Sequence, residues 1–252
     1  MKVSLQALCC LSVFLLWSFV PLAKKEIKIY LVGDSTMSQK EIKAYPETGW
    51  GMPFTYFFDS SVTVDNRAKN GRSTRTFIEE GLWNPILQNL KEGDYVFIQF
   101  GHNDEVSTKK SFTTEEEFKK NLSRYVAETR SRKAIPVLLT PAARRNFDST
   151  GRFAGTHEVY SELVRNVAQK EKVALIDLDQ KSKALLQQMG PEPSKLLFNQ
   201  LLPGEHPNYP KGVTDNTHFN ELGARKMAQL VLAGIKELNL ELAGRIRKPS
   251  TN

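Results

Sequence analysis

The sequence predicts an α/β fold built on a parallel sheet. Three observations predict it. β-rich runs alternate with helical patterns along the whole chain. The run 95–100 (Tyr-Val-Phe-Ile-Gln-Phe) is apolar at almost every position, as expected of a central strand covered on both faces. No repeat, low-complexity segment or linker divides the chain, so one domain over residues 24–252 is expected. Consecutive parallel strands then require right-handed crossovers.

The elements follow in order. Residues 26–32 are β-rich and end at Gly33. Residues 62–65 give a short second strand, 95–100 a third, 135–140 a fourth and 173–178 a fifth. A long helix opens at Glu115 and runs through Phe118, Leu122, Tyr125 and Val126, with Thr114 as cap and Glu117 three residues on. A second covers 157–171, with Val159, Tyr160, Leu163, Val164 and Val167 on one stripe. Asn220 caps the last helix, 221–238. Between them, 202–217 carries three prolines and two glycines and reads as a functional loop.

The first 23 residues read as an export signal rather than fold. Lys2 precedes an apolar run from Leu5 to Val20, and Pro21-Leu22-Ala23 offers a small residue for cleavage. The run is short for a membrane span; an uncleaved N-terminal anchor is the alternative. The product is expected in the periplasm or outside the cell. Both cysteines, Cys9 and Cys10, fall inside this segment, so the exported chain has no thiol for disulfides, nucleophilic catalysis or a zinc–cysteine site.

The chain carries 35 Lys and Arg against 28 Asp and Glu, a formal charge of +7. Such a balance suits an anionic partner, with a merely solvated surface as the alternative. No basic tract interleaved with aromatic residues occurs, which argues against nucleic acid. From about residue 245 the chain ends in a basic tail.

Four short blocks carry the chemistry: Gly33-Asp34-Ser35-Thr36, Asn70-Gly71-Arg72-Ser73, Gly101-His102-Asn103-Asp104 and Asp215-Asn216-Thr217-His218. The first three follow the first three strands, and open parallel sheets bind ligands outside the carboxyl ends of their strands. Ser35 is the candidate nucleophile. A serine hydroxyl needs a base beside it, and His218 is the candidate. Asp215, three residues earlier, would hold the imidazole, both residues lying on one tight turn before the last helix. Gly71, with no side chain to obstruct its N–H, and Asn103, with a non-titrating amide, would supply the oxyanion hole together with the Ser35 N–H. Arg72 and Arg75 are candidates to pair with a substrate carboxylate. Trp50, in Gly49-Trp50-Gly51, is either a platform for a sugar or core. His206 either touches substrate or is solvated. His102 is expected to shape the Asn103 turn, and His157 to lie on the surface. No metal is expected, since no His-x-His or His-Glu-x-x-His spacing exists. The Ser35 block lacks the second glycine of a Gly-x-Ser-x-Gly elbow, which argues against an α/β-hydrolase.

These blocks together resemble those of the SGNH (GDSL-type) hydrolases, whose four namesake letters would be Ser35, Gly71, Asn103 and His218. The longer strings Gly-Asp-Ser-Thr-Met, Gly-Trp-Gly, Asn-Gly-Arg-Ser, Gly-His-Asn-Asp and Asp-x-Thr-His-Phe look like the rhamnogalacturonan acetylesterase branch, over roughly residues 26–238. The resemblance implies a flavodoxin-like three-layer α/β/α sandwich with a five-stranded parallel sheet. It also implies a cofactor-free esterase acting on an acetylated acidic polysaccharide of pectin. An esterase for xylan acetate or a lipid ester, and a non-catalytic carbohydrate-binding protein on the same fold, are the rival expectations. No membrane partner beyond export is expected.

Overall fold

The structure, a computed structural model, describes residues 25–248. The expected signal segment, with both cysteines, lies outside the described residues. Five strands form one all-parallel sheet: β1 (Ile27–Gly33), β2 (Val62–Asn66), β3 (Tyr95–Gln99), β4 (Ile135–Leu139) and β5 (Ala174–Ile176), in spatial order β2-β1-β3-β4-β5. The order reverses at β1, so the first three loops leave the sheet side by side, where such sheets form ligand crevices.

The helices are α1 (Gly51–Phe54), α2 (Thr74–Glu79), α3 (Asn84–Asn89), α4 (Glu115–Ser131), α5 (Glu158–Glu171), α6 (Leu178–Met189) and α7 (Glu221–Glu237). Strand alternation assigns each to a layer. Ile27, Ile29 and Leu31 of β1, Tyr95 and Phe97 of β3, and Val137 and Leu139 of β4 point to one face. There they pack with Phe54 of α1, Leu186 of α6, and Met227, Val231 and Ile235 of α7. The intervening residues Tyr30, Val32, Val96, Ile98 and Leu138 point to the other face, against Phe77, Ile86, Phe118, Tyr125 and Val164 of α2 to α5. Two apolar clusters flank one sheet, which is the three-layer arrangement.

The caps fall where the sequence puts them. The Thr114 hydroxyl accepts from Glu117 N at 3.3 Å, and Asn220 Oδ1 accepts from Gly223 N at 3.0 Å. Three glutamates in the first turn of α4 complement its dipole. On α5 the stripe departs from expectation at two positions. Val159 is 52% exposed, whereas His157, expected on the surface, is buried as the N-cap residue.

The largest departure is at 198–219. Part of the expected loop is a hairpin of β6 (Phe198–Leu201) with β7 (Val213–Phe219), an antiparallel pair outside the main sheet. Asp215 and His218 therefore lie on a strand rather than on a tight turn. The strand is half-buried and polar, so it lacks the apolar run that marked β1, β3 and β4. Among the described residues no helix is long and apolar enough to cross a membrane.

Candidate active site

Ser35 sits two residues beyond the end of β1. Its Oγ lies 2.9 Å from Nε2 of His218, a residue 183 positions away in sequence. The other ring nitrogen, Nδ1, lies 2.7 Å from Asp215 Oδ2. The carboxylate cannot donate, so Nδ1 carries the proton and Nε2 is left to accept from the serine. Asp215 Oδ1 takes the backbone N–H groups of Thr217 (2.7 Å) and His218 (3.0 Å). Partial burial would raise this carboxyl, but the imidazole and the two N–H donors bring it down to about 2. It is thus a fixed anion, suited to stabilising an imidazolium. The strand β7 is itself pinned by Arg145, which donates to Asn216 Oδ1 at 3.0 Å.

Gly71 and Asn103 face the same cleft, whose volume is about 390 Å³ and whose lining includes Ser35, Gly71, Asn103 and His218. Gly71 has φ +76°, a conformation that disfavours a side chain, although a Cβ there would meet nothing within 4 Å. Among the described residues neither the Ser35 nor the Gly71 backbone N–H has an acceptor. The orientation of the Asn103 amide follows from its neighbours. Lys109 Nζ, which can only donate, lies 3.3 Å from Oδ1, and the Arg72 carbonyl, which can only accept, takes one Nδ2 hydrogen at 3.1 Å. One N–H of the amide remains free. Three donors without protein acceptors on one cleft can hold a developing oxyanion.

The three loops are tied together beneath this cleft. Asn70 Oδ1 accepts from Lys40 Nζ at 2.9 Å and from the Ser38 hydroxyl, joining the loops after β1 and β2. Asp104 Oδ1 accepts from Thr74 N (2.8 Å) and Thr74 Oγ1 (2.6 Å), joining the loops after β2 and β3. Burial pushes the Asp104 carboxyl up to about 7. Asp34 is fully buried below the nucleophile. Burial opposes its charge, but His102, 3.3 Å away, and the Thr36 donors hold it at about 2. The chain of buried groups continues from His102, whose ring centroid is 4.3 Å from that of His157. His157 contacts Glu105 at 2.9 Å, and Glu105 pairs with Arg144 at 2.7 Å. Burial and the neighbouring His102 lower His157 to about 4, so it is neutral near pH 7.

Four residues named from sequence as candidate substrate contacts lie elsewhere. Trp50 is fully buried and donates its indole N–H to Gln99 Oε1 at 2.6 Å, so it has no face for a sugar. Its flanking glycines explain the motif: a Cβ at Gly49 would lie 2.0 Å from Ser38 O, and one at Gly51 2.6 Å from Met37 O. Gly-Trp-Gly presses against the backbone that follows Ser35. The Arg72 guanidinium is held by Glu80 at 2.7 Å and by the Asn70 carbonyl at 2.8 Å, and Arg72 is not part of the cleft lining, which it supports through its own carbonyl on Asn103. Arg75 is likewise engaged, with Glu79 and the Phe112 carbonyl. His206 packs near Tyr45 and accepts from Asn208 N, outside that lining. Conversely, Lys109, Arg144 and Glu47 line the cleft without belonging to any block. Asp104 stood in a quoted block without an assigned task.

A three-layer α/β/α domain with a serine–histidine–aspartate relay at the carboxyl edge of its sheet has the architecture of a serine-type ester hydrolase. The chain belongs to the GDSL-like lipase/acylhydrolase family, whose model matches residues 31–226. It is 43% identical over 220 residues to the rhamnogalacturonan acetylesterase RhgT of Bacillus subtilis, covering 87% of this chain and 94% of that one. It is 37% identical to the probable rhamnogalacturonan acetylesterase YesY of the same organism, over 87% and 97% of the two chains. The crystal structure of Bacillus subtilis YxiM superposes with a TM-score of 0.75 at 28% identity, over 86% of this chain and 58% of that one.

Proposed function

We propose that this protein is an exported carbohydrate O-acetylesterase that removes acetyl groups from rhamnogalacturonan. The observation that carries the chemistry is the Ser35–His218–Asp215 relay facing the same cleft as the Gly71 and Asn103 donors. The substrate rests on the two acetylesterase relatives and agrees with the basic charge of the chain.

In this reading His218 Nε2 takes the Ser35 proton as Oγ attacks the acetyl carbonyl. The carbonyl oxygen becomes an oxyanion, held by the Ser35 and Gly71 N–H groups and the free N–H of Asn103. The intermediate collapses, the sugar hydroxyl leaves with the proton from His218, and an acetyl-enzyme remains. His218 then deprotonates a water, which attacks the acetyl carbonyl and releases acetate. Asp215 stays ionised throughout and steadies the transient imidazolium. No step calls for a metal or cofactor.

The test is acetate release from acetylated rhamnogalacturonan, compared with acetylated xylan and a short lipid ester. The pectic substrate is expected to give the highest kcat/KM, and Ser35→Ala to lose about 10⁴-fold or more in kcat. Full activity in Ser35→Ala would remove the mechanism; preference for xylan or lipid would remove the substrate. Export is checked by the N-terminal sequence of the protein recovered outside the cytoplasm, expected to begin near Lys24.

A further inference from the structure

We propose that Lys109 and Arg144 form a carboxylate subsite in the Ser35 cleft, which takes a uronate carboxylate of the acidic substrate. This rests on the acetylesterase reading and specifies what its substrate must carry. The argument comes from charge pairing around the cleft. Glu47 is neutralised by the buried Lys40 at 2.7 Å. Asp215 is matched by His218. Arg144 is held through one terminal nitrogen by Glu105 at 2.7 Å and through the other by the His102 carbonyl at 3.3 Å. Its Nε–H has no acceptor among the described residues. The guanidinium is therefore fixed in direction, with a donor left over.

Lys109 differs from all of these. It has no carboxylate partner among the described residues, and its polar contact is Asn103 Oδ1 at 3.3 Å. An ammonium has three donors, so two remain. Once the pairs are counted, Lys109 is the uncompensated charge of the lining. A cation beside the scissile ester suits an anionic substrate and steers it inward. On the far side of the Glu105–Arg144 pair lies a groove of about 800 Å³ lined by Glu105, Glu115 and Glu158. Glu105 and Glu158 are paired there with Arg144 and Lys183, but Glu115 has no cationic partner among the described residues, so that groove offers a uronate no spare cation and favours the Lys109 side.

The experiment is inhibition of 4-nitrophenyl acetate hydrolysis by the full chain, using a galacturonate oligomer and a xylose oligomer of equal length. The acidic oligomer is expected to inhibit at roughly tenfold lower concentration. That preference is expected to fall about fivefold in Lys109→Gln and to shrink in the wild type as salt is raised. Lys109 is exposed, so its replacement leaves folding intact; Arg144→Lys, which keeps the charge but loses the fork, is the second variant and is expected to fall less. Equal inhibition by both oligomers, or an undiminished preference in Lys109→Gln, overturns the subsite. So does a loss of ester turnover in Lys109→Gln with the preference intact, since Lys109 would then act only through Asn103. Acetate release from acetylated rhamnogalacturonan is scored separately, so the subsite and the substrate reading can fail independently.

Discussion

The convergence of Ser35, Gly71, Asn103, Asp215 and His218 was legible because the chemistry proposed for each makes a demand that few residue types meet. A hydroxyl, an unobstructed N–H, an untitrating amide and a carboxylate–imidazole pair leave little choice. Trp50, left open between sugar platform and core, and Arg72, read toward a substrate carboxylate, were hard to place for the opposite reason. A motif letter in a loop says nothing about the direction of its side chain; Trp50 turns inward to Gln99, and Arg72 outward to Glu80. Lys109 and Arg144 carry no spacing signal at all, since they reach the cleft only through the folded loops. At this scale Asp215→Asn is expected to lower kcat about 10⁴-fold while the protein stays folded, because the amide would let Nδ1 lose its proton acceptor and unsettle the tautomer. Asn103→Ala is expected to cost about 10²–10³-fold, mainly in kcat, because its free N–H acts on charge that appears in the transition state. Steady-state kinetics on one ester substrate checks both; an effect confined to KM in Asn103→Ala would place that amide in ground-state binding instead.

At the scale of elements, the five parallel strands were legible from β-rich segments, and their ends agree with the expected ones to within about two residues. The β6–β7 hairpin was not. Its second strand, Val213–Phe219, is polar and half-buried, and the prolines and glycines before it mask a pairing made by residues 198–201. The contact of Gly-Trp-Gly with the Ser35 loop also needs the third dimension to be seen. It gives a sharp expectation. In Gly49→Ala the new methyl would overlap Ser38 O at 2.0 Å and Met37 C at 2.7 Å, both backbone atoms that cannot swing aside. The variant is expected to lose about 3 kcal/mol or more of stability, or to shift the nucleophile loop and lose activity. Denaturant unfolding with parallel assays reads this, and wild-type stability and activity in the variant would refute the close approach.

For the whole molecule, buried ionisable groups set the pH range of stability. Asp104 is raised from near 4 to about 7 by burial. Below pH 4 it is protonated whether or not the chain is folded. Between pH 4 and 7 the unfolded chain releases that proton and the folded one keeps it, so stability declines as pH rises, by a few kcal/mol at most. Asp215, held at about 2, works the other way: its contribution is present above pH 4 and is lost as pH falls toward 2. His157, lowered to about 4, likewise costs stability as pH falls from about 6.5. Asp104→Asn keeps an oxygen for Thr74 and removes the ionisation. Its melting temperature relative to wild type is therefore expected to climb from pH 5 to pH 8. Parallel curves would show that Asp104 is not held protonated.

One consequence follows from Asp215 and His218 sharing β7. The carboxylate grips the backbone of its own strand as well as the imidazole, so base and orienter travel as a single cartridge. Within the relay, any breathing of the hairpin then stretches the gap to Ser35 and leaves the pair primed for the return stroke.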